Sequence, residues 1–302
     1  MMEKRKLGHG GPEVSILGFG CLWMNHGWGP AAERAEMVAA IRTAAERGVT
    51  LFDAAEANGP FANEELLAEA LAPWWGKVLI ATKFGFDLSI PGLNSRPEFI
   101  RKSVELSLKR LKTDCIDLYY QHRVDPSVPM EDLAGAVKDL VAAGKVKYFG
   151  LCEAAPDLVR RAHAVHPVAV VRTEYSLWDR AAETELVPAL EALGVGLISR
   201  SPLGPALHKP DGVTAALGRV GQQYNASPAQ VGLAWLLGQK TWVVPVPGAR
   251  QVDRTLENLG SANIRLSSAD LRTIEDAFSR ASLRRHSAHD DSRLRSKNGT
   301  EF

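Results

Sequence analysis

The strongest constraint on this chain is an alternation, repeated eight times, of a short apolar segment and a longer segment with helical periodicity. The apolar segments have the length of buried strands, and the apolar residues of the longer segments recur at every third or fourth position. Near-continuous apolar strands separated by helices are typical of a parallel sheet covered on both faces. Eight such units favour closure into a (β/α)8 TIM barrel of the α/β class.

The predicted elements follow the chain in order. Turn residues within the segment from Lys4 to Ile16 predict an N-terminal β-hairpin. Strands are expected at Ile16–Gly20, Thr50–Ala54, Val78–Phe84, Ile116–His122, Val146–Cys152, Val168–Tyr175, Gly196–Ser201 and Trp242–Val246. Helices are expected at Ala32–Arg47, Asn63–Ala72, Pro97–Leu111, Met130–Ala143, Pro156–Val165, Ala182–Leu193, Val213–Tyr224, Pro228–Leu237, Val252–Leu259 and Ser268–Arg280, the last ones being extra C-terminal helices. A doubly wound sheet is the structural alternative, but no G-x-G-x-x-G motif follows the first strand.

Composition narrows the classes of partner and compartment. The chain of 302 residues is 45% hydrophobic and can bury one large core, so residues 1–281 are predicted to form a single domain. A net charge of +1 suggests neither a nucleic-acid partner nor a membrane partner. The three cysteines lack metal-ligand spacing, so no metal is expected, and scattered free thiols suit the cytoplasm.

No targeting segment is expected in this sequence, and only its C-terminal tail is predicted to be unfolded. No apolar stretch has the length of a signal peptide core or a membrane span. Residues 282–302 are polar and without periodicity, so they are predicted to be a disordered tail. The final letters, Gly-Thr-Glu-Phe, could be a cloning remnant.

The predicted strands end in a group of ionisable residues. Chemistry in such barrels takes place at the carboxyl ends of the strands, where side chains project into one mouth. An Asp, a Lys and a His that each end a separate apolar strand predict an active site there, and a solvated rim is the alternative. An aromatic residue in the loop after the first strand, Trp23, can wall a substrate pocket. The ionisable residues at these ends are Asp53, Lys83, His122, Glu153, Arg172, Glu174 and Arg200, and Cys152 precedes Glu153.

The chain resembles a known family in several motifs. Residues 48–59 read G-V-T-L-F-D-A-A-E-A-N-G. Other matching segments are A-T-K-F at 81–84, Y-Y-Q-H-R-V-D-P at 119–126, S-P-L-G at 201–204 and the P-G-A-R segment that starts at 247. They resemble the aldo-keto reductases, whose first motif is G-V-T-x-F-D-T-A-x-x-Y-G. The resemblance runs from Lys6 to about Phe278 and implies a (β/α)8-barrel oxidoreductase with a nicotinamide cofactor.

The resemblance implies a catalytic set with one departure. In the family an Asp–Lys pair lowers the pKa of a tyrosine that protonates the carbonyl oxygen, while a histidine orients the substrate. The matching positions are Asp53, Lys83 and His122, and Asn58 stands at the tyrosine position. A carboxamide has no proton to transfer near neutral pH. The redox centre is therefore expected to be eroded.

The nicotinamide pocket departs from the family in the same way. Cys152 stands where relatives have a serine, Arg172 where they have a glutamine, and Arg200 where they have an aromatic residue. Two cations would repel an oxidised nicotinamide, which is itself positive. The segment between Gly204 and Ser227, which covers the cofactor in relatives, is shorter here.

The residues at the adenine end of the implied cofactor site match the family pattern more closely than those at the nicotinamide end. Arg254, Glu257 and Asn258 match the family pattern for the 2′-phosphate and adenine, and Arg250 replaces a threonine. A guanidinium at a helix start can still bind a phosphate. NADP(H) binding is therefore expected to persist weakly or to be lost. The remaining implied cofactor contacts are Ser201, Leu203, Gly204 and Gly248.

Three functions stay open at this point. The first is non-redox acid/base chemistry, either elimination of water or isomerisation, on a small metabolite that is anionic or carries a carbonyl. Lys83 and His122 would then supply acid and base, and Arg172 and Arg200 would bind the anion. The second is NADPH-dependent reduction of aldehydes or ketones with His122 as proton donor. The third is a non-catalytic role in binding a cofactor or a partner.

Overall fold

The computed structural model describes residues 2–25, 33–59, 61–89, 92–204 and 212–279, without the side chains of Trp23 and Asn25. The predicted tail at 282–302 lies outside the described residues, as does the side chain of Trp23. None of the helices in the described ranges combines the length and the apolarity needed to cross a membrane.

The N-terminal hairpin covers one end of the molecule. Strands β1 (Lys4–Lys6) and β2 (Glu13–Ser15) pair antiparallel, which confirms the predicted hairpin. Leu7 follows β1, is fully buried, and belongs to the core inside the main sheet. Gly8 bridges Val195 at the amino end of a sheet strand. The hairpin therefore closes the end of the sheet opposite to the predicted site.

The main sheet of the described residues has eight parallel strands in sequential order. They are β3 (Phe19–Gly20), β4 (Leu51–Asp53), β5 (Leu79–Phe84), β6 (Ile116–Gln121), β7 (Val146–Cys152), β8 (Val168–Glu174), β9 (Gly196–Arg200) and β10 (Val243–Pro245). The first and last strands meet, since Gly18 N–H donates to the Pro245 carbonyl at 2.9 Å and Gly20 N–H donates to the Pro247 carbonyl at 3.0 Å. The predicted TIM barrel is confirmed.

Helices surround the barrel and connect its strands. They are α1 (Leu22–Asn25), α2 (Arg34–Glu46), α3 (Ala62–Leu71), α4 (Pro97–Leu111), α5 (Met130–Ala142), α6 (Pro156–Val165), α7 (Leu186–Leu193), α8 (Gly212–Tyr224), α9 (Pro228–Leu237), α10 (Val252–Gly260) and α11 (268–279). The short helix α1 was not predicted. The helix expected at Ala182–Leu193 divides into a 3-10 turn at Ala181–Glu183 and α7. The strand expected at Ile16–Gly20 pairs with β4 only over Phe19–Gly20, and the Ile16 N–H donates instead to the Glu3 carbonyl at 3.0 Å.

Strand alternation explains why charged groups reach the barrel interior. Successive side chains of a strand point to opposite faces, so every second residue faces inward. In β5 these residues are Leu79, Ala81 and then Lys83, so apolar filling gives way to a charge at the carboxyl end. Asp53 and Arg172 end the inward rows of β4 and β8 in the same way. The lower layers of the interior are therefore apolar and the top layer is ionisable.

Candidate active site

One carboxylate holds two cations at the top of the barrel. Lys83 Nζ donates to Asp53 Oδ1 at 2.6 Å, and Arg172 Nε donates to Asp53 Oδ2 at 2.6 Å. Lys83 Nζ also donates to the Ala54 carbonyl. The side chains of Asp53, Lys83 and Arg172 are 1%, 3% and 9% exposed. We call these three residues the basic cluster, since a single buried anion faces two cations.

Their shared burial shifts the pKa of each member in a direction set by its neighbours. Burial alone would raise the pKa of Asp53, but Arg172 and Lys83 hold it below its usual value. The pKa of Lys83 is lowered, because burial and Arg172 outweigh the attraction of Asp53. The pKa of Arg172 is raised, since its interaction with Asp53 outweighs its burial. Of the two cations, Lys83 is therefore the one that holds its proton less tightly than usual.

His122 follows β6 and faces the same cavity. Burial first, and then the charges of Lys83 and Arg172, lower the pKa of His122 to about 2. Its Nδ1 is buried and has no hydrogen-bond partner within the described part of the chain. The ring packs edge-on against Phe86, with 4.9 Å between centroids. The imidazole is therefore uncharged near neutral pH. Its ring N–H can donate a hydrogen bond, but it lacks the acidic proton of an imidazolium. This lowered pKa weighs against the predicted role of His122 as the proton donor.

Asn58 is held at the cavity wall by a second asparagine. Its Nδ2 donates to Asn63 Oδ1 at 3.4 Å, and Asn63 Nδ2 donates to the Cys21 carbonyl at 2.8 Å. Asn58 is 6% exposed and lines the same cavity as Lys83. Its carboxamide therefore has a fixed position beside the basic cluster.

Arg200 is neutralised by acidic neighbours. Its Nε donates to Glu153 Oε1, and its Nη2 lies 2.9 Å from Glu174 Oε2. The other oxygen of Glu153 accepts from Thr173 Oγ1 at 2.9 Å. Glu153 itself, at φ 53°, and Ser201, which follows Arg200, at φ 47°, lie in the left-handed region that non-glycine residues rarely adopt. Such strained backbone persists where surrounding contacts fix it, often at functional sites.

The charge argument made from the sequence therefore needs correction. Lys83 and Arg172 share Asp53, and Arg200 faces both Glu153 and Glu174. Three cations meet three anions, so the mouth has no net excess of positive charge when Lys83 is protonated. The sequence-based argument that a positive nicotinamide is repelled considered only the cations. So did the argument that Arg172 and Arg200 are free to bind an anion. Neither took account of the acidic residues that pair with these cations.

Cys152 contributes a neutral thiol to the cavity. It ends β7 and is 2% exposed. Burial raises the pKa of Cys152 to about 11, although Arg172 and Lys83 oppose that rise. A thiol in this state is a poor nucleophile near neutral pH, because the thiolate is the reactive form.

The predicted adenine-binding residues lie together on α10. Arg254 Nη1 forms an ion pair with Glu257, and the other oxygen of Glu257 accepts from Ser227 Oγ at 2.6 Å. Asn258 is 2% exposed, and its Oδ1 is buried without a hydrogen-bond partner in the described ranges. A buried acceptor of this kind calls for a donor, and the amino group of an adenine would supply one. Arg250 precedes the helix.

The other predicted cofactor contacts line the rim of the barrel. Ser201, Leu203 and Gly204 form a tight turn after β9, in which Gly204 N–H donates to the Ser201 carbonyl at 2.8 Å. Gly204 has φ 56°, and an added Cβ would contact Trp178 at 3.4 Å. Gly248 forms a parallel bridge with Gly20, where the barrel closes.

A second buried ionic group was missed by sequence reasoning. Ser103 Oγ donates to Glu56 Oε2 at 2.8 Å, and Arg110 lies between Glu56 and Glu64, with 3.4 Å from Nη2 to Glu56 Oε2. Thr82 Oγ1 donates to the other oxygen of Glu64 at 2.6 Å. We call Glu56, Glu64 and Arg110 the acidic cluster. Charged residues in or near a helix normally indicate a solvated face, so nothing in the sequence pattern indicates that these three are buried.

Comparisons with known proteins agree with this architecture. A model of the Aldo/keto reductase family matches residues 16–278. The chain is 40% identical over 306 positions to a probable aldo-keto reductase 1 of Glycine max, over 90% of this chain and 88% of that protein. A thermostable aldo-keto reductase in complex with the inhibitor epalrestat superposes with a TM-score of 0.82 at 29% identity, over 91% of this chain and 100% of that one. An aldo/keto reductase from Klebsiella pneumoniae in complex with NADP and acetate superposes with a TM-score of 0.79 at 24% identity, over 92% and 96% of the two chains.

Proposed function

Because the chain belongs to the Aldo/keto reductase family, we propose that it reduces the carbonyl group of a small aldehyde or ketone with NADPH. The observation that carries this proposal is the buried Asp53–Lys83 pair, which faces a cavity of about 90 Å³ also lined by Asn58 and His122. A carbonyl oxygen in that cavity lies among hydrogen-bond donors. The similarity to a probable aldo-keto reductase over most of the chain supports the same reading.

The residues at both ends of the expected cofactor site fit NADP(H). The orphaned Asn258 Oδ1 offers an acceptor for an adenine amino group, and Arg254 supplies a cation on the same helix. At the other end Arg200 is compensated by Glu153 and Glu174, so a positive nicotinamide is not opposed by a net charge. When bound, the cofactor supplies a hydride to the carbonyl carbon. The proposal follows the structural neighbour that binds NADP.

We assign the matching proton to Lys83. Asn58 stands where the family has its catalytic tyrosine, and a carboxamide does not transfer a proton. His122 is neutral because its pKa is about 2. Lys83 has an ammonium proton and a lowered pKa, which makes it a stronger acid than an ordinary lysine. Asn58 and the His122 ring N–H would orient the carbonyl oxygen, and Lys83 would protonate it.

Steady-state reduction of aldehydes, followed by loss of NADPH absorbance, tests this assignment. Lys83→Met is expected to lower kcat/KM by ~10²–10⁴-fold, the usual contribution of a general acid. His122→Gln is expected to lower it less, since it removes one orienting donor. Asn58→Tyr is expected to raise activity, because it restores a phenol beside the Asp53–Lys83 pair. Full activity of Lys83→Met would refute the assignment, and failure of the wild type to bind NADPH in a calorimetric titration would refute the proposed function.

A second candidate is non-redox acid/base chemistry on the same substrate class. The observation that favours it is the hydrogen bond from Arg172 to Asp53 Oδ2, the carboxylate oxygen that Lys83 does not contact. With Asn58 in place of a phenol, the cavity holds an amine and a neutral imidazole, which suffice for proton abstraction and return next to a carbonyl. Exchange of substrate α-hydrogens with deuterated water, without NADPH, would identify this activity. A small-molecule partner, anionic or neutral, remains part of both candidates.

A further inference from the structure

The two hydrogen bonds of Lys83 leave one position of its Nζ for the cavity, in the ammonium and in the amine form alike. Its Nζ contacts two acceptors, Asp53 Oδ1 and the Ala54 carbonyl. An ammonium has three N–H donors, whereas an amine has two N–H donors and a lone pair. No third acceptor contacts Nζ among the described residues, and the next group is the Tyr120 ring, whose centroid lies 5.6 Å away. The third tetrahedral position of Nζ is thus left for the cavity that Lys83 lines.

The net charge of the basic cluster favours the neutral amine form of Lys83. Asp53 has one negative charge, divided between an oxygen bound by Lys83 and an oxygen bound by Arg172. A guanidinium does not lose its proton in proteins, so the excess positive charge is relieved only when Lys83 gives up a proton. The further anions at the mouth, Glu153 and Glu174, both pair with Arg200 and are 21% and 27% exposed, so water screens them from the buried cluster. Loss of one proton makes the buried cluster neutral.

The other titratable groups that face Lys83 do not offset this excess. They come from the neighbouring strands β4, β6, β7 and β8 and from the residue after β3. Burial raises the pKa values of the thiols and the phenol and lowers that of the imidazole, so all four are neutral near neutral pH. These groups are Cys21, Tyr120, His122 and Cys152, beside the charged Asp53 and Arg172.

We propose that Lys83 is a nucleophilic amine that forms an imine with the carbonyl carbon of a small aldehyde or ketone. The Nζ lone pair attacks the carbonyl carbon, and a C–N bond forms as the carbonyl oxygen takes a proton. The C–O bond then breaks, and the oxygen leaves as water with the two hydrogens that the amine lost. No oxidant or reductant takes part. The inference goes beyond the proposed reduction and rests on it only for the substrate class.

The cavity suits this reaction in size and in polarity. Its volume of about 90 Å³ admits a carbonyl compound of a few heavy atoms. Asn58 and His122 line it together with Lys83. Their N–H groups can hold the oxygen that becomes hydroxyl and then water. The protonated nitrogen of an imine formed there can accept an electron pair, so loss of a proton from the carbon next to the imine carbon becomes easier.

Reductive trapping tests the proposal on the intact chain. The protein is incubated with acetone and cyanoborohydride, and separately with pyruvate, across pH 6 to 10, and modified lysines are identified by peptide mass spectrometry. We expect a covalent adduct on Lys83 at pH 7, at least about tenfold faster than on Lys147, an exposed lysine of β7 that is paired with Asp117 at 2.7 Å. Lys83→Met removes the adduct and leaves Asp53 paired with Arg172, so no buried charge is left without a partner.

Arg172→Gln tests the charge argument independently. Without the second cation Lys83 holds its proton more tightly, so its pH profile of labelling moves upward and the rate at pH 7 falls by about tenfold per unit of pKa. No adduct on Lys83 at any pH, labelling no faster than on Lys147, or an unchanged profile in Arg172→Gln would each overturn the proposal. NADPH-dependent reduction without an adduct would leave the proposed function standing, and an adduct without reduction would leave the imine chemistry standing alone.

Discussion

The two buried clusters of this barrel are opposites in charge. The basic cluster has two cations around one carboxylate, Asp53, and faces a cavity. The acidic cluster has two carboxylates around one cation, Arg110, and its side chains are at most 12% exposed. Each has one charge in excess, and each can lose it by titration of one member. Lys83 releases a proton in the first cluster, and Glu56 takes one up in the second.

The pKa shifts and their linkage to stability follow from this opposition. Burial first, and then Glu64, raise the pKa of Glu56 to about 7. A folded state that binds an extra proton loses stability as pH rises from the unfolded pKa to the folded one, here from 4.5 to about 7. The pKa of Lys83 is lowered, so its contribution has the opposite sign and stability rises as pH increases above the lowered pKa. The excess charge of the basic cluster faces a cavity, where it can act on a substrate. The excess charge of the acidic cluster is buried away from that cavity, so we expect it to affect stability alone.

The largest expected effect is that of Arg110→Met. It leaves Glu56 and Glu64 buried without their cation, and breaking a buried pair costs ~3–5 kcal/mol. The loss should be smaller at pH 5 than at pH 8, because protonation of Glu56 removes one of the two charges. Urea unfolding at both pH values measures it. Arg161→Met is the matched control: its partner Glu131 is exposed, so the loss should be much smaller than that of Arg110→Met. Equal losses in the two variants would show that Arg110 stabilises the fold no more than an exposed ion pair does.

Glu56→Gln should have the next largest effect, with the opposite sign at alkaline pH. The substitution removes the excess charge of the acidic cluster, while the amide can still accept from Ser103. Its effect on the free energy of unfolding should be more favourable at pH 8 than at pH 5 by ~2–3 kcal/mol, because the wild-type carboxyl must ionise in the fold only at the higher pH. Thermal melts across this range measure the difference. A constant effect would place the pKa of Glu56 near its ordinary value.

Arg172→Gln should change stability little, which separates the two clusters most clearly. The cation that it removes is the excess one, and Asp53 keeps its pair with Lys83 at 2.6 Å. We expect a change within ~1 kcal/mol, the net value of one hydrogen bond. Denaturant unfolding beside Arg110→Met gives the comparison directly. A loss as large as that of Arg110→Met would mean that Asp53 depends on Arg172 rather than on Lys83.

The fold was readable from the sequence because each strand and helix carries its own pattern. Strand β7 and helices α4, α6 and α9 begin and end at the predicted residues. The structure places Asp53, Lys83, His122 and Asn58 around one cavity, where the strand ends converge in a barrel.

Pairing across the barrel could not be read in this way. The Asp53–Arg172 bond joins β4 to β8, strands that lie on opposite sides of the closed sheet. No local periodicity encodes which inward residues meet there, because that depends on the stagger of all eight strands. The same holds for Arg110, which reaches Glu56 across 54 positions of sequence. The compensation of charges, and with it the pKa values, needed the structure.

His122 provides the smallest expected effect and the sharpest test of the neutral imidazole. With its pKa lowered to about 2 by burial and by Lys83 and Arg172, its ring resonances should not change between pH 5 and 8 in an NMR titration. In the urea-unfolded chain the imidazole should titrate near its ordinary pKa of 6.5. Below pH 6.5 the unfolded state then binds a proton that the folded state does not bind. His122 therefore lowers the free energy of unfolding as pH falls below 6.5. Glu56 acts in the opposite direction between 4.5 and about 7. The two contributions should nearly cancel in the wild type near pH 5 to 6, and Glu56→Gln should expose the slope of His122, at most ~1.4 kcal/mol per pH unit. A ring that titrates near pH 6.5 in the folded chain would return the proton-donor role to His122 and remove it from Lys83.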